Sequence, residues 1–187
     1  GKITLYAMSE KGYKNLTKLS SSSYLKKEIS HTPYCEIEDL KKSNEDLILL
    51  TGNYTNLFGK LFLANKTKLL EKTLNTLKSL FKDRLYIEIQ RHSETQENNY
   101  ENYLLRMSKT YDIHLIAGQE VFYLDHSMAE AHDALICIGE KKFLDDKNRF
   151  KFSDQHYLKT SEELKNLFKD LPEALENNYN FPRRFNF

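Results

Sequence analysis

Two side chains that could bind a metal or transfer a proton stand just past predicted strand ends. His92 follows Leu85–Ile89, and an imidazole there could act as a metal ligand or general base. No second histidine or carboxylate lies at a helix or strand repeat from it, so an exposed loop histidine is the competing interpretation. Glu120 follows Leu115–Ala117 and could ligate a metal or act as a base, with a surface glutamate as the alternative.

Other polar positions favour structural roles. His132 and Asp133 lie in a helical stretch with apolar neighbours, so we expect His132 to be a hydrogen-bonded packing residue. Asp145 and Asp146 are adjacent, and adjacent loop carboxylates usually point apart and stay solvated rather than bind one divalent ion.

Basic and aromatic residues interleave in two stretches, in a way that single-stranded nucleic acid could use for stacking and phosphate contact. The competing interpretation is that loop aromatics anchor a connection to the core. The set comprises Arg149, Phe150, Lys151, Phe152, Phe181, Arg183, Arg184, Phe185 and Phe187. The sequence has no Walker loop, GxGxxG, HExxH or GxSxG, and no paired DxD of the kind that holds two magnesium ions in a polymerase palm.

Hydrophobic spacing predicts alternating strands and helices. The predicted strands are Ile3–Met8, Leu47–Leu50, Leu85–Ile89 and Leu115–Ala117. The first predicted helix begins at Ser9 or Glu10 and is interrupted at Ser20–Ser23. Further helices are predicted over Glu36–Lys42, over Leu57–Phe81 with a break near Asn65, and over Gln96–Thr110. The last predicted helices are Ser127–Gly139, with His132, Leu135 and Ile136 on one apolar face, and a final pair that begins at Ser161 and Pro172. This alternation is typical of an α/β fold with a mainly parallel sheet, in which sites gather at strand ends.

Composition narrows the class of protein. The 187 residues suffice for one domain with a sizeable core, and 28 Lys+Arg against 27 Asp+Glu create no global field for a polyanion. Cys35 and Cys137 lack CxxC spacing, which argues against a disulfide framework or zinc knuckle and favours a reducing cytoplasm. No apolar run reaches the roughly 18 residues of a membrane span, so we expect a cytoplasmic protein without membrane contact.

Several runs of residues resemble one bacterial polymerase family. They are Gly12–Leu16, Leu47–Gly59, Leu85–His92, Ala129–Ile138, Leu144–Arg149, Tyr157–Lys159, Glu162–Leu164 and Leu167–Asn177. Over most of its length the chain is similar to the PHP domain of the alpha subunits of bacterial DNA polymerase III, the replicative family C polymerases. The resemblance implies a partial, distorted (β/α) barrel of mainly parallel strands with outer helices, followed by a C-terminal helical connection.

The resemblance also implies domain boundaries. Residues 1–142 would be the C-terminal part of a PHP domain whose N-terminal part is missing. Residues 143–187 would be the connection towards the polymerase palm.

The metal-binding pattern of the family is degenerate here. Its Ser-Gly-Cys loop stands as Thr51-Gly52-Asn53, where an amide that binds transition metals poorly replaces a thiolate. Its Asp-x-His motif stands as Glu120-Val121-Phe122, and its His-x-His segment would precede Gly1. The resemblance therefore implies no catalytic residue and no bound metal, with degenerate positions at Asn53, Glu120 and Phe122 and a weak candidate ligand at His92.

These features lead to three functional expectations. The first is an inactive fragment of a DNA-directed DNA polymerase, which would be a metal-free scaffold that supports the polymerase. It would dock a proofreading exonuclease subunit, among other polymerase III subunits. Contact with DNA would be made through the whole polymerase, whose palm would use Mg2+. The alternative is a metal-dependent phosphoesterase or 3′–5′ exonuclease that uses Glu120 and His92. A third is an interaction module unrelated to replication, for which we expect an all-helical architecture. The nucleic-acid-binding surface is not assigned.

Overall fold

The computed structural model describes residues 1–25 and 32–187. Its strands are β1 (Thr4–Ala7), β2 (Leu47–Leu50), β3 (Leu85–Gln90) and β4 (His114–Gly118). They form one sheet in the order β1-β2-β3-β4, in which β1 is antiparallel to β2 and the other neighbours are parallel. The predicted α/β class with a mainly parallel sheet is confirmed, and strands backed by outer helices are consistent with a partial PHP-type barrel. The all-helical architecture is excluded.

Helices surround this sheet. They are α1 (Glu10–Leu25), α2 (Ile37–Lys42), α3 (Leu57–Leu63), α4 (Thr67–Phe81), α5 (Glu97–Tyr111), α6 (Ala129–Glu140), α7 (Ser161–Leu167) and α8 (Pro172–Asn180). The predicted break near Asn65 is confirmed, because Asn65 lies between α3 and α4 with a φ of 55°. None of the helices in residues 1–25 and 32–187 is long and apolar enough to cross a bilayer.

The predicted interruption at Ser20–Ser23 is wrong, because α1 continues through these serines to Leu25. The hydroxyl groups of Ser22 and Ser23 donate to backbone carbonyls one turn back, at 3.0 and 2.7 Å. Serine therefore satisfies its polar group inside the helix instead of ending it. Leu19 is buried in the core from the same helix, and such packing outweighs weak helix propensity.

The two faces of the sheet pack against different partners. One face carries the main core, in which Leu49 and Ile87 lie against leucines of α4 and aromatic residues of α5. Each leucine buried in this way contributes roughly 1.5–3 kcal/mol. The opposite face is smaller, and its residues are Ile48, Leu50, Tyr86 and Ile116, with Met8, Phe181 and Phe185 packed against them.

The apolar face predicted for α6 is partly wrong. Asp133 and Cys137 are its buried residues, whereas Leu135 is exposed. Asp133 points inwards because Arg149 forms a bidentate ion pair with it, at 2.5 and 2.6 Å. The helix therefore turns a charged residue towards the protein and an apolar stripe towards solvent.

Arg91 ties the end of β3 to the C-terminal helices. Its guanidinium binds Glu101 of α5 and Asp170 between α7 and α8, and it also donates to the backbone carbonyl of Leu167 at 2.6 Å. The same group lies 5.0 Å from the ring centroid of Phe168, which is fully buried. The Arg91 guanidinium thus joins the end of β3 to α5 and to the connection between α7 and α8.

Two asparagines of α8 occupy the outer edge of β4. The side chain of Asn178 accepts from the backbone nitrogen of Ala117 and donates to its carbonyl, at 2.9 and 2.7 Å. Asn177 donates to the carbonyl of Leu115 at 2.7 Å. These amides satisfy strand groups that would otherwise be open to another strand.

We predict that Asn178→Ala lowers the free energy of unfolding by about 1–3 kcal/mol, because both backbone groups of Ala117 lose their partner. Urea denaturation followed by circular dichroism measures this loss. Asn180→Ala is the matched control, since Asn180 is exposed on the same helix and its replacement should change stability by less than about 0.5 kcal/mol. Equal effects from the two substitutions would contradict the role given to Asn178.

Candidate functional site at the strand ends

The structure brings the predicted strand-end residues together. Because β2, β3 and β4 are adjacent and parallel, their carboxyl ends meet at one edge of the sheet. Asn53, His92 and Glu120 follow these three strands in turn. Gly52 has a φ of 74°, a left-handed conformation that favours glycine, in the turn that leads to Asn53.

Amide hydrogen bonds connect the carboxylates of this edge. The side-chain nitrogen of Asn53 lies 3.2 Å from both the Gln90 amide oxygen and a Glu120 carboxylate oxygen. The Gln90 nitrogen donates to Glu88 at 2.6 Å. We call Glu88, Gln90, Asn53 and Glu120 the strand-end network. It links two carboxylates through two amides and crosses all three parallel strands.

Glu88 is the buried end of this network. Burial raises the pKa of its carboxyl, the hydrogen bond from Gln90 opposes that rise, and the negative charge of Glu120 adds to it. Gly118 leaves room for this side chain, because a Cβ atom at position 118 would lie 2.1 Å from a Glu88 carboxylate oxygen. Sequence analysis did not select Glu88, since a glutamate inside a strand gives no signal of its own.

His92 is buried, with 2% of its surface exposed, so the interpretation as an exposed loop histidine is wrong. Its Nδ1 lies 3.1 Å from Glu97, and its Nε2 accepts from the backbone nitrogen of Glu120 at 3.1 Å. The ring is therefore neutral, with its proton on Nδ1. Both nitrogens serve protein contacts, and neither has a lone pair left for a metal.

Glu97, at the start of α5, holds His92 in place. It accepts from the backbone nitrogens of His92 and Glu94 at 2.7 and 3.1 Å, in addition to the imidazole. Burial raises the pKa of Glu97, but the hydrogen bonds from His92 and Glu94 outweigh burial and lower it below the usual value. The carboxylate is thus ionised at neutral pH, at a helix N-terminus that favours negative charge.

Four rings stack beside the network and form what we call the ring column. His92 and His156 are parallel with centroids 4.1 Å apart, His156 and Phe122 follow at 4.9 Å, and Phe122 and His132 at 5.2 Å. Phe122 therefore packs between two histidines, His156 and His132. His132 packs against Phe122 and Tyr123 through its ring.

His156 is a further site residue that sequence analysis missed. It lies in an irregular segment whose backbone pairs with that of Phe122 and Tyr123, at 2.9 and 3.0 Å, through His156 and Leu158. Its Nδ1 donates to the Glu120 carbonyl at 3.2 Å, and its buried Nε2 lies 3.6 Å from a Glu94 carboxylate oxygen without a hydrogen bond. No motif surrounds it, so only the fold reveals its position.

The residues at these strand ends do not fit a divalent-metal centre. The Asn53 amide oxygen accepts from Thr55 and faces away from Glu120. His92 has no free nitrogen, and Phe122 cannot coordinate a metal. Within the described ranges, no three His, Cys, Asp or Glu side chains are grouped as a metal would need.

The remaining candidates have structural contacts. Asp145 is exposed, whereas Asp146 accepts from the backbone nitrogen of Phe143 at 2.9 Å and stabilises a turn. Phe152 packs against the ring column, and Phe181 and Phe185 cover the smaller face of the sheet. These contacts fit the anchoring interpretation of the aromatic residues.

Arg184 has a similar anchoring role, because it binds Asp83 and the hydroxyl of Tyr86, both at 2.7 Å. Phe150 and Phe187 remain exposed.

Comparison with known proteins finds similar sequences in bacteria. Residues 1–92 match the PHP domain family. The chain is 34% identical over 185 residues to a DNA polymerase III subunit alpha from Caulobacter vibrioides and 36% identical over 185 residues to that from Rickettsia bellii, with 99% of the chain covered in each case. A Borreliella burgdorferi protein of the same name is 35% identical over 176 residues, or 94% of the chain. The chain spans about 16% of the length of the first two relatives and 15% of the third.

The buried ring of His156 predicts a pH-dependent stability. Burial lowers its pKa. An ordinary histidine titrates near about 6.5, so the unfolded chain takes up the proton first as the pH falls. The contribution of neutral His156 to the free energy of unfolding is therefore complete above about pH 7. It is lost as the pH falls from there through the lower pKa that His156 has in the folded state.

We therefore expect His156→Phe to flatten the fall in unfolding free energy between pH 7 and 5, measured by urea denaturation. Glu97 does not interfere, because its stabilisation is lost only below about pH 4.5. His114→Phe is the control, since His114 is exposed on β4 and should leave the slope close to that of the parent. An unchanged slope in His156→Phe would contradict the assignment.

Proposed function

We propose that this chain is part of a replicative DNA-directed DNA polymerase. It is similar over nearly its whole length to the DNA polymerase III alpha subunits of bacteria, and its residues 1–92 match the PHP domain family. It spans about 16% of the relatives' length. Nucleotidyl transfer, the Mg2+ that it requires and the contact with DNA would belong to the whole enzyme. The region itself would be catalytically inactive.

We propose further that this region is a metal-free scaffold. The observation that carries the proposal is the hydrogen bonding of His92, which uses both ring nitrogens on Glu97 and Glu120. The strand-end network supports it, because the Asn53 amide lies between Gln90 and Glu120 and joins strand ends that a metal joins elsewhere in the family. Hydrogen bonds between protein groups would replace coordination as the link between the strands.

A scaffold needs a rigid connection to the rest of its enzyme, and residues 143–187 would supply it. The segment around His156 is paired with residues 122–123, and Arg91 binds the helices that follow. A force on the C-terminal helices would therefore reach the strand ends through ordered contacts. The proposed partners are the polymerase palm and a proofreading exonuclease subunit.

The alternative is a metal-dependent phosphoesterase or 3′–5′ exonuclease that uses Glu120 and His92. Its support is the position of both residues at strand ends, where catalytic groups gather in this class of fold. It requires His92 to give up a buried hydrogen bond before it could bind a metal, at a cost of about 1–3 kcal/mol.

We expect the purified chain to retain far less than one equivalent of zinc or manganese after incubation and dialysis, and to leave single-stranded DNA uncut. Elemental analysis and a nuclease assay measure the two properties. Glu120→Ala and His92→Ala serve as matched variants, and neither should change the trace metal that remains. Stoichiometric metal that disappears in Glu120→Ala, together with cleavage, would establish the enzymatic alternative instead.

Docking of the exonuclease requires a separate test. We expect saturable binding between this chain and the proofreading exonuclease subunit of a bacterium with a related alpha subunit, such as Rickettsia bellii, by titration calorimetry. The titration is repeated with chain that has been unfolded in urea and refolded, as a control for intact structure. It is also repeated with an unrelated protein, as a control for nonspecific binding. Absence of heat at high micromolar concentrations would remove docking from the proposal while leaving the metal result unaffected.

A further inference from the structure

The outer side of α3 and α4 is strongly basic. Residues 57–82 contain six lysines and one acidic residue, a net charge of +5, whereas the whole chain carries +1. The other residues therefore carry a net charge of −4. Because the positive charge is concentrated in one helical segment, it creates a local field that the overall balance of charge conceals.

Four lysines of this segment have no protein partner. Lys60, Lys66, Lys68 and Lys72 are exposed, and none of their ammonium groups forms an ion pair or a hydrogen bond within residues 1–25 and 32–187. Lysines of α1 and α2 do have carboxylate partners, in the pairs Lys11–Glu45, Lys14–Glu10 and Lys41–Glu38. The four charges on α3 and α4 can therefore attract an anion from outside the chain.

The geometry of α4 gathers these charges on one side of the helix. Lys68 and Lys72 are one turn apart and Asn75 follows on the same side, because residues three and four apart are neighbours on a helix. The backbone nitrogen of Lys66 donates to the carbonyl of Leu61 at 2.8 Å, which places the last turn of α3 beside the start of α4. The buried residues of α4 lie on its opposite side and are Leu70, Leu74, Leu77 and Phe81. The basic face, as we call it, consists of Lys60, Lys66, Lys68, Lys72 and Asn75.

This arrangement works against the stability of the helix that carries it. Lys68 and Lys72 repel each other, and α4 has no acidic residue in its first turn, where the helix dipole favours negative charge. Glu71 is the one acidic residue of the segment, and its carboxylate accepts from the Tyr103 hydroxyl of α5 at 3.2 Å. Charges that are kept against the preference of their own helix indicate a function outside it.

We propose that the basic face binds the phosphate backbone of a DNA duplex. Lysine and asparagine are among the side chains that contact phosphates in complexes with DNA, whereas lysine is depleted in the surfaces by which proteins bind one another. No aromatic side chain of residues 57–82 is exposed, so the face has no ring on which the bases of a single strand could stack. The binding is therefore independent of base sequence. The proposal does not rest on the role given to the strand ends.

The length of the face sets the number of contacts. The 15 residues of α4 extend about 22 Å, and phosphates follow one another about every 3.4 Å along each strand of a duplex, so four ammonium groups can reach separate phosphates. Four such contacts predict that the logarithm of the binding constant falls against the logarithm of the salt concentration with a slope of about −3.6. Binding should then weaken roughly 100-fold between about 50 and 200 mM salt.

Fluorescence anisotropy of a short labelled DNA duplex, titrated with the chain at several salt concentrations, tests the proposal. Lys68→Gln combined with Lys72→Gln removes two phosphate contacts and should flatten the slope to about −1.8. Lys11→Gln combined with Lys14→Gln is the matched control, because it removes the same charge from paired lysines of α1 and should leave the slope unchanged. Lys68→Arg combined with Lys72→Arg keeps both charges and should keep the slope of the parent. Circular dichroism establishes that each variant is folded.

Three results would overturn the proposal. The first is no binding at about 50 mM salt and high micromolar concentrations of the chain. The second is an equal change of slope in the two glutamine pairs, which would show a response to net charge alone. The third is tighter binding to a single strand of the same length, or to polyglutamate, with the same dependence on Lys68 and Lys72. Preference for polyglutamate would assign the basic face to an acidic protein instead.

Discussion

The arrangement of the strand ends depends on one buried imidazole. His92 is removed from water, so each of its nitrogens needs a protein partner. Glu97 supplies one from α5 and the backbone of Glu120 supplies the other from the end of β4. The His92 ring therefore sets the distance between the start of α5 and the end of β4. The ring column stacks on this ring, and the strand-end network lies beside it.

The chemistry available to the site depends on which lone pairs are not already used in hydrogen bonds. A ligand or a general base needs a lone pair that is not already used, and His92 has none. The amides of Asn53 and Gln90 join carboxylates that would otherwise repel each other. The edge of the sheet has the residue types of a reactive site and the bonding of a structural one.

The sequence predicted the positions of the strand ends well, because buried parallel strands are short apolar runs that end at polar residues. It could not predict the partners. His156 comes from an irregular segment without a motif, and Asp133 is turned inwards by Arg149, which is sixteen residues further along the chain. The serines of α1 misled the analysis, since their hydroxyls bond to the helix itself. Local pattern determines elements, whereas the pairing of polar groups is a property of the assembled fold.

The amide at Asn53 also has a consequence for the cell. A thiolate at that position could be oxidised to a sulfenic acid or a disulfide, and a metal held there could be withdrawn by chelators or by scarcity. An amide undergoes neither change. The strand ends should therefore keep their shape under peroxide stress and during zinc starvation.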